Sequence, residues 1–120
     1  MYYKTFRYRV LPTKMGEYLA LRQQADAVYV RHFGQSPSYL QSAKDQYQWL
    51  EIYSYADEAS YRASMEQLQQ DPEVERLWTQ FRTVLDPRYH AAVDEYRSSA
   101  ASNGQATEPW SDFESSPHDS

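Results

Sequence analysis

The 120-residue chain contains no cysteine, only three glycines and no long apolar segment. The absence of cysteine excludes a disulfide framework, a cysteine-based zinc site and a thiol nucleophile. No run approaches the roughly 18 apolar residues of a membrane helix, and the start, MYYKTFRYRV, lacks the apolar core of a signal peptide. We therefore expect a cytoplasmic protein that does not associate with membranes.

Basic residues are also scarce, with 12 Lys and Arg against 17 Asp and Glu, for a formal net charge of -5. No excess of clustered cations is present, so the sequence does not predict nucleic-acid binding. No Lys or Arg follows Arg97. Residues 98–120 hold four of the 17 acidic residues, and residues 1–97 hold the other 13. We expect one folded domain over residues 1–97 and a disordered acidic, serine-rich tail over residues 98–120.

In contrast, tyrosine is abundant, and all 12 tyrosines precede Arg97. The alternation from Tyr2 to Leu11 predicts a strand that ends at Pro12 and has one face formed by Tyr2, Phe6, Tyr8 and Val10. Apolar residues then recur every three or four positions, which predicts a helix capped by Thr13 and stopped by Gly34.

A hairpin is predicted next, with strands over Ser38–Ala43 and Tyr47–Tyr55 joined by a turn at residues 44–46. Two helix starts follow, one at Asp57 and the other at Asp71, where a proline occupies the first helical position.

Residues 88–97 fit either of two structures. Tyr89, Val93 and Tyr96 have the spacing of one helix face, whereas a strand over about Ala91–Tyr96 would complete the sheet. With the strand, which we favour, the order is that of a ferredoxin-like α+β fold, βαββαβ, with an antiparallel sheet and helices on one face.

Such a sheet has a second face, which the helices leave open. The residues predicted on this face are Tyr3, Arg7, Arg9, Trp49, Tyr53 and Tyr55. They hold too much aromatic area to remain in water, so we expect a second copy of the chain to cover this face in a homodimer.

The segments YYKTFRYRVLP, TKMGEYLALRQQ and WLEIYSYADEASYRASMEQLQQDPEVERLW resemble the dimeric α+β barrel superfamily, over residues 2 to about 97. This superfamily includes antibiotic-biosynthesis-monooxygenase-like and NIPSNAP proteins. In its active members, the resemblance implies cofactor-independent oxygenation of aromatic polyketides or quinols, or haem degradation, in a pocket between sheet and helices. The Asn-Trp-His set of the haem-degrading members is not recognisable in this chain, so we expect no cofactor.

A pocket for a small aromatic or hydrophobic ligand needs apolar walls and a polar group to move a proton. Trp49, Tyr53, Tyr61 and Trp78 are the candidate walls, with Arg7 as a further substrate-binding residue. The alternative is that Trp78 belongs to the core and the strand aromatics to a dimer interface, in which case the protein is a non-catalytic homodimeric module.

His32 and Glu51 are the candidate catalytic residues. His32 would be a general base, although its place in the last turn of a helix is also explained by the helix dipole. Glu51 would be an acid with a raised pKa, or would form an ion pair with Arg7 or Arg9 across the sheet. The histidines are too scattered to predict a metal site.

Overall fold

The computed structural model describes residues 1–99, which form a four-stranded antiparallel sheet with three helices. The strands are β1 (Tyr2–Arg9), β2 (Ser38–Gln41), β3 (Gln48–Tyr55) and β4 (Ala92–Arg97), in the spatial order β2-β3-β1-β4. Residues 88–97 therefore contain the predicted strand and not a helix. The predicted ferredoxin-like α+β fold is confirmed, whereas the tail predicted from residue 98 lies, apart from residues 98 and 99, outside the described residues.

The helices are α1 (Met15–Phe33), α2 (Glu58–Gln69) and α3 (Pro72–Val84), and a short 3-10 helix (Pro12–Lys14) precedes α1. Asp57 and Asp71 cap α2 and α3 as predicted, because their carboxylates accept hydrogen bonds from the N–H groups of Ser60 and Glu73. No helix within residues 1–99 is long and apolar enough to cross a membrane.

The C-terminus of α1 depends on Gly34, which has a φ of 77° and donates its N–H to the carbonyl of Val30. This left-handed conformation is easily adopted only by glycine, so the predicted helix stop is confirmed together with its cause.

The register of β1 and β3 decides which side chains face the helices. Tyr8 lies opposite Trp49, Phe6 opposite Glu51 and Lys4 opposite Tyr53. Since residues directly opposite each other project to the same side of a sheet, the odd-numbered residues of β3 share the helix-covered face with the even-numbered residues of β1. The prediction that Trp49, Tyr53 and Tyr55 lie on the open face with Tyr3, Arg7 and Arg9 is therefore wrong.

The core lies between the sheet and the helices and is mostly aromatic. Tyr8 and Tyr18 are fully buried, with ring centroids 5.8 Å apart, and Phe81 of α3 packs edge-on against Tyr8 at 5.0 Å. Edge-to-face packing of this kind suits the quadrupoles of aromatic rings. The central strand is consequently held against α1 and α3 by rings that come from three separate segments of the chain.

Candidate functional site

A cleft with a volume of about 490 Å³ lies between the sheet and helices α2 and α3. Its size is within the range of small-molecule sites, and its walls are predominantly apolar and aromatic, as is usual for such sites. The walls include Phe6, Tyr29, Tyr53, Tyr55, Met65, Leu68, Val74, Trp78 and Val93, with Lys4, Glu75 and Arg82 as charged residues.

A smaller cavity of about 50 Å³, which we call the inner recess, shares Phe6, Tyr29, Tyr53, Val74 and Trp78 with the cleft. The inner recess extends towards α1 and is lined there by Glu51, Arg22 and Tyr39, among others. Its volume is enough for a water molecule or two but not for an aromatic ligand. A ligand in the cleft would therefore be separated from Glu51 by Tyr53 or by water.

Glu51 is buried, with only 6% of its surface exposed, and tyrosine hydroxyls satisfy its carboxyl group. The Tyr8 hydroxyl donates to Oε1 at 2.7 Å, and the Tyr53 hydroxyl donates to Oε2. Burial raises the pKa of Glu51, and the two hydrogen bonds oppose this effect only in part. A carboxyl group with a raised pKa is a stronger base in its ionised form than an exposed carboxylate, which is useful in general acid–base chemistry.

Further hydroxyls extend this arrangement on both sides of Glu51. The Tyr18 hydroxyl lies 2.6 Å from that of Tyr8, and the Tyr29 hydroxyl lies 3.4 Å from that of Tyr53. The pKa of Tyr53 is well above its usual value because the side chain is buried beside Glu51, so its hydroxyl keeps its proton and remains a donor. Tyr53 lines both the cleft and the inner recess, and thus connects Glu51 to the cleft.

Lys4 is the charged residue that β1 contributes to the cleft. Its ammonium nitrogen lies 3.7 Å from the sulfur of Met65 and about 6 Å from the ring centroids of Tyr53 and Tyr61. Burial lowers the pKa of Lys4, although Glu95 and Glu51 act in the opposite direction. No carboxylate within residues 1–99 is at ion-pair distance from this nitrogen. The nearby Glu95 forms an ion pair with Arg62, and Glu58 forms ion pairs with Arg62 and Arg97.

Three of the predicted site residues come together. Glu51, Tyr53 and Trp78 all line the inner recess, and the last two also line the cleft. Tyr61 is nearby, because its ring faces the ammonium group of Lys4, but its hydroxyl donates to Glu95 at 3.1 Å and it does not line the cleft.

Trp49 and Arg7 lie elsewhere. Trp49 is a buried core residue that packs on Tyr18 with ring centroids 5.4 Å apart, and it lines neither cavity. Arg7 is exposed on the open face of the sheet, on the side opposite the cleft. The predicted pairing of Glu51 with Arg7 or Arg9 is wrong, because both arginines project from the other face, where Arg9 pairs with Asp45 and Asp86 at 2.8 Å.

His32 also lies outside both cavities. Its Nε2 is 2.8 Å from the carboxylate of Asp71, the residue that caps α3. This contact lowers the pKa of Asp71 and joins the end of α1 to the start of α3. The position favours a structural role for His32 over the predicted role as a general base.

The sequence reasoning did not identify Lys4 or Tyr8 as site residues. Lys4 interrupts an aromatic alternation, which was a usable signal, because a cation on the covered face of a strand needs a reason to be there. Tyr8 had no such signal, since a tyrosine on an apolar face is common in cores. Within residues 1–99, no group of three or more His, Asp or Glu is placed to hold a metal ion.

The fold has well-defined structural relatives, although no protein-family model and no curated protein sequence matches the chain. One similar solved structure is a NIPSNAP family protein from Agrobacterium tumefaciens, with a TM-score of 0.67 and 16% identity over 82% of this chain and 86% of that one. A second is a putative antibiotic biosynthesis monooxygenase from Nitrosomonas europaea, with a TM-score of 0.64 and 15% identity over 82% of this chain and 98% of that one.

A third is SnoaB, a cofactor-independent oxygenase from Streptomyces nogalater, solved as a mutant, with a TM-score of 0.63 and 13% identity over 81% of this chain and 91% of that one. At such low identities the likeness establishes the fold and not the activity. The chain thus has the fold that NIPSNAP proteins and antibiotic-biosynthesis-monooxygenase-like proteins share, as its sequence pattern predicted.

Proposed function

We propose that the protein binds a small aromatic molecule in the cleft and oxidises it with dioxygen without a cofactor. The observation that carries this proposal is the connection of an apolar cleft of about 490 Å³ to a buried carboxyl group through one hydroxyl, that of Tyr53. The cleft provides a predominantly apolar site for an electron-rich ring, and the buried Glu51 provides a proton acceptor.

In this reaction an activated carbon of the aromatic ligand loses two hydrogens and gains one atom of dioxygen as a carbonyl oxygen. The second oxygen atom leaves as water with the two hydrogens, so dioxygen is the only oxidant required. The first proton would pass to the oxygen of Tyr53 while Tyr53 passes its own proton to Glu51. The raised pKa of Glu51 makes its ionised form a stronger base than an exposed carboxylate, which favours this transfer.

The proposal is tested with dithranol, an electron-rich anthrone that reacts with oxygen slowly by itself. We expect the protein to accelerate oxygen uptake above the uncatalysed rate, and Tyr53→Phe to reduce the acceleration at least tenfold because it breaks the connection to Glu51. Tyr89→Phe is the matched control, since Tyr89 lies between α3 and β4 and lines neither the cleft nor the inner recess. Equal rates for wild type and Tyr53→Phe would contradict the proton route, and absence of dithranol binding would contradict the proposed ligand class.

A homodimer is the second part of the proposal, and the open face of the sheet supports it. Leu40 and Tyr96 are 54% and 55% exposed there, next to the half-buried Leu50 and Ile52. The same face presents Arg7 and Asp94 on adjacent strands, and neither side chain makes an ion pair within residues 1–99. A two-fold axis would place each of these opposite charges against the other in a second copy, as a self-complementary interface requires.

Light scattering after size-exclusion chromatography tests the dimer. We expect twice the chain mass for wild type and a monomer for Ile52→Lys, while Leu19→Lys, which alters an exposed leucine of α1, should remain dimeric. A monomeric wild-type protein at micromolar concentration would refute the dimer. A dimer that neither binds nor oxidises aromatic compounds would instead favour the non-catalytic module.

A further inference from the structure

Lys4 is a charged group in the cleft whose position the proton route through Tyr53 does not explain. It is half-buried on the central strand, among side chains that offer little to an ammonium ion. Lysine has three N–H donors, and within residues 1–99 this ammonium group has a single acceptor, the weakly accepting sulfur of Met65 at 3.7 Å. Removing a cation from water in this way is costly unless an anion compensates for it.

The neighbouring carboxylates do not compensate for this charge directly. Glu95 lies opposite Lys4 in the sheet, but its two oxygens accept hydrogen bonds from the hydroxyls of Tyr2 and Tyr61. Glu51 is likewise held by Tyr8 and Tyr53. The donors of Lys4 therefore remain available to a ligand in the cleft.

The other charges of the cleft are Arg82 and Glu75, both of them exposed residues of α3. They carry opposite charges, and Lys4 is the half-buried charged residue among those that line the cleft. Tyr53 is adjacent to Lys4 and also lines the cleft, so an aromatic ligand could place an anionic oxygen at the ammonium group and its ring beside that of Tyr53.

We infer that Lys4 is a ligand-binding residue, and that the cleft selects aromatic ligands that carry an anionic oxygen over neutral ones of the same shape. This inference rests on the proposed function, because it names the substrate class of that same cleft. An ionised oxygen also increases the electron density of the ring to which it is attached. The substrates preferred for reaction with dioxygen would thus be the ones that Lys4 retains.

Two fluorescent probes that differ by a single group test the inference. 8-Anilinonaphthalene-1-sulfonate carries an anionic sulfonate, and N-phenyl-1-naphthylamine is the same ring system without it. Affinities are measured by fluorescence titration with wild type, Lys4→Met and Arg82→Met, and displacement of the neutral probe by the sulfonate shows that both occupy one site. Methionine keeps the length and apolar stem of lysine and removes the charge.

We expect Lys4→Met to weaken sulfonate binding about tenfold and to change the affinity for the neutral probe by less than twofold. Arg82→Met removes the outer cation of the same cleft and should weaken sulfonate binding less than Lys4→Met does. Equal losses for both probes in Lys4→Met would show that Lys4 only supports the shape of the cleft and would overturn the inference. It would also be overturned if only Arg82→Met weakened sulfonate binding.

The wild-type protein separates failure of the inference from failure of the proposed function. Binding of the neutral probe without binding of the sulfonate would overturn anion selection and leave the aromatic cleft in place. Binding of neither probe would overturn both, since the cleft would then not accept aromatic molecules at all.

Discussion

Replacing Tyr8 by phenylalanine is the sharpest test of the hydrogen-bonded carboxyl group at the centre of the protein. The change removes one oxygen atom from a fully buried side chain and leaves the ring in place. That oxygen makes two contacts, one with Glu51 Oε1 at 2.7 Å and one with the hydroxyl of Tyr18 at 2.6 Å. Both partners are themselves buried, so water cannot readily replace the lost hydroxyl.

The expected loss of stability follows from the two groups that lose a partner. A buried polar group left without its hydrogen bond costs about 1–3 kcal/mol, so Tyr8→Phe, which leaves two such groups, should lower the free energy of unfolding by about 2–6 kcal/mol. Tyr18→Phe should cost only about 1 kcal/mol, because Tyr8 keeps its hydrogen bond to Glu51. In the double variant no unpaired Tyr18 hydroxyl is left, so its cost should be about 1–2 kcal/mol less than the sum of the single costs.

Urea unfolding at neutral pH, followed by tryptophan fluorescence, provides these free energies. Tyr89→Phe is the control, since the Tyr89 hydroxyl makes no hydrogen bond within residues 1–99 and should contribute less than about 0.5 kcal/mol. The reasoning would be refuted if Tyr8→Phe were as stable as Tyr89→Phe, or if the costs of the two core substitutions were additive. Either result would mean that the hydroxyls of Tyr8 and Tyr18 do not act together on Glu51.

Three further predictions concern the elements that hold the site in place. Gly34→Ala should lower the free energy of unfolding by about 1 kcal/mol, because a φ of 77° strains any residue with a Cβ; an unchanged urea midpoint would contradict this. Asp57→Ala should also cost about 1 kcal/mol by removing the cap of α2, and Asp57→Ser should restore most of it. Hydrogen bonds from Arg88 and a salt bridge to Arg9 lower the pKa of Asp86 to about 2 in the folded protein, whereas the pKa in the unfolded chain is about 4. The ionised carboxylate therefore stabilises the fold at pH values above about 4, and this stabilisation is lost as the pH falls from about 4 to about 2. The stability advantage of wild type over Asp86→Asn should shrink over that interval, and an advantage that stays constant down to pH 2 would disprove the assignment.

The elements of the fold could be predicted because their signals are local. Asp57, Asp71 and Gly34 each act within one helical turn, so the residue type indicates where the helix begins or ends. The cap predicted at Thr13 is wrong, because Thr13 lies in the 3-10 helix and no side chain within residues 1–99 caps the start of α1. The alternation of β1 is also a local property, and it predicted the strand and its buried residues Tyr2, Phe6 and Tyr8 correctly.

The candidate site could be predicted only in part because its residues depend on the pairing of strands. Glu51 is recognisable as an unusual carboxylate in an aromatic strand, but its predicted partner, Arg7 or Arg9, is wrong. Tyr8, one of the two tyrosines that bind Glu51, is 43 positions away from it along the chain, and Met65 is 61 positions from Lys4. No spacing rule operates over such distances.

By itself, the sequence determined the order and type of the elements and the presence of too many aromatic rings for a simple core. Only the tertiary structure decided which of the two alternating sets on β3 faces the helices. A period of two defines two faces but does not say which is covered, and a shift of one residue in the register would exchange them. Pairing Tyr8 with Trp49 places Glu51 and Tyr53 under the helices and leaves Leu50 and Ile52 on the open face. That single choice of register creates the cleft, buries its carboxyl group and brings Lys4 to its wall.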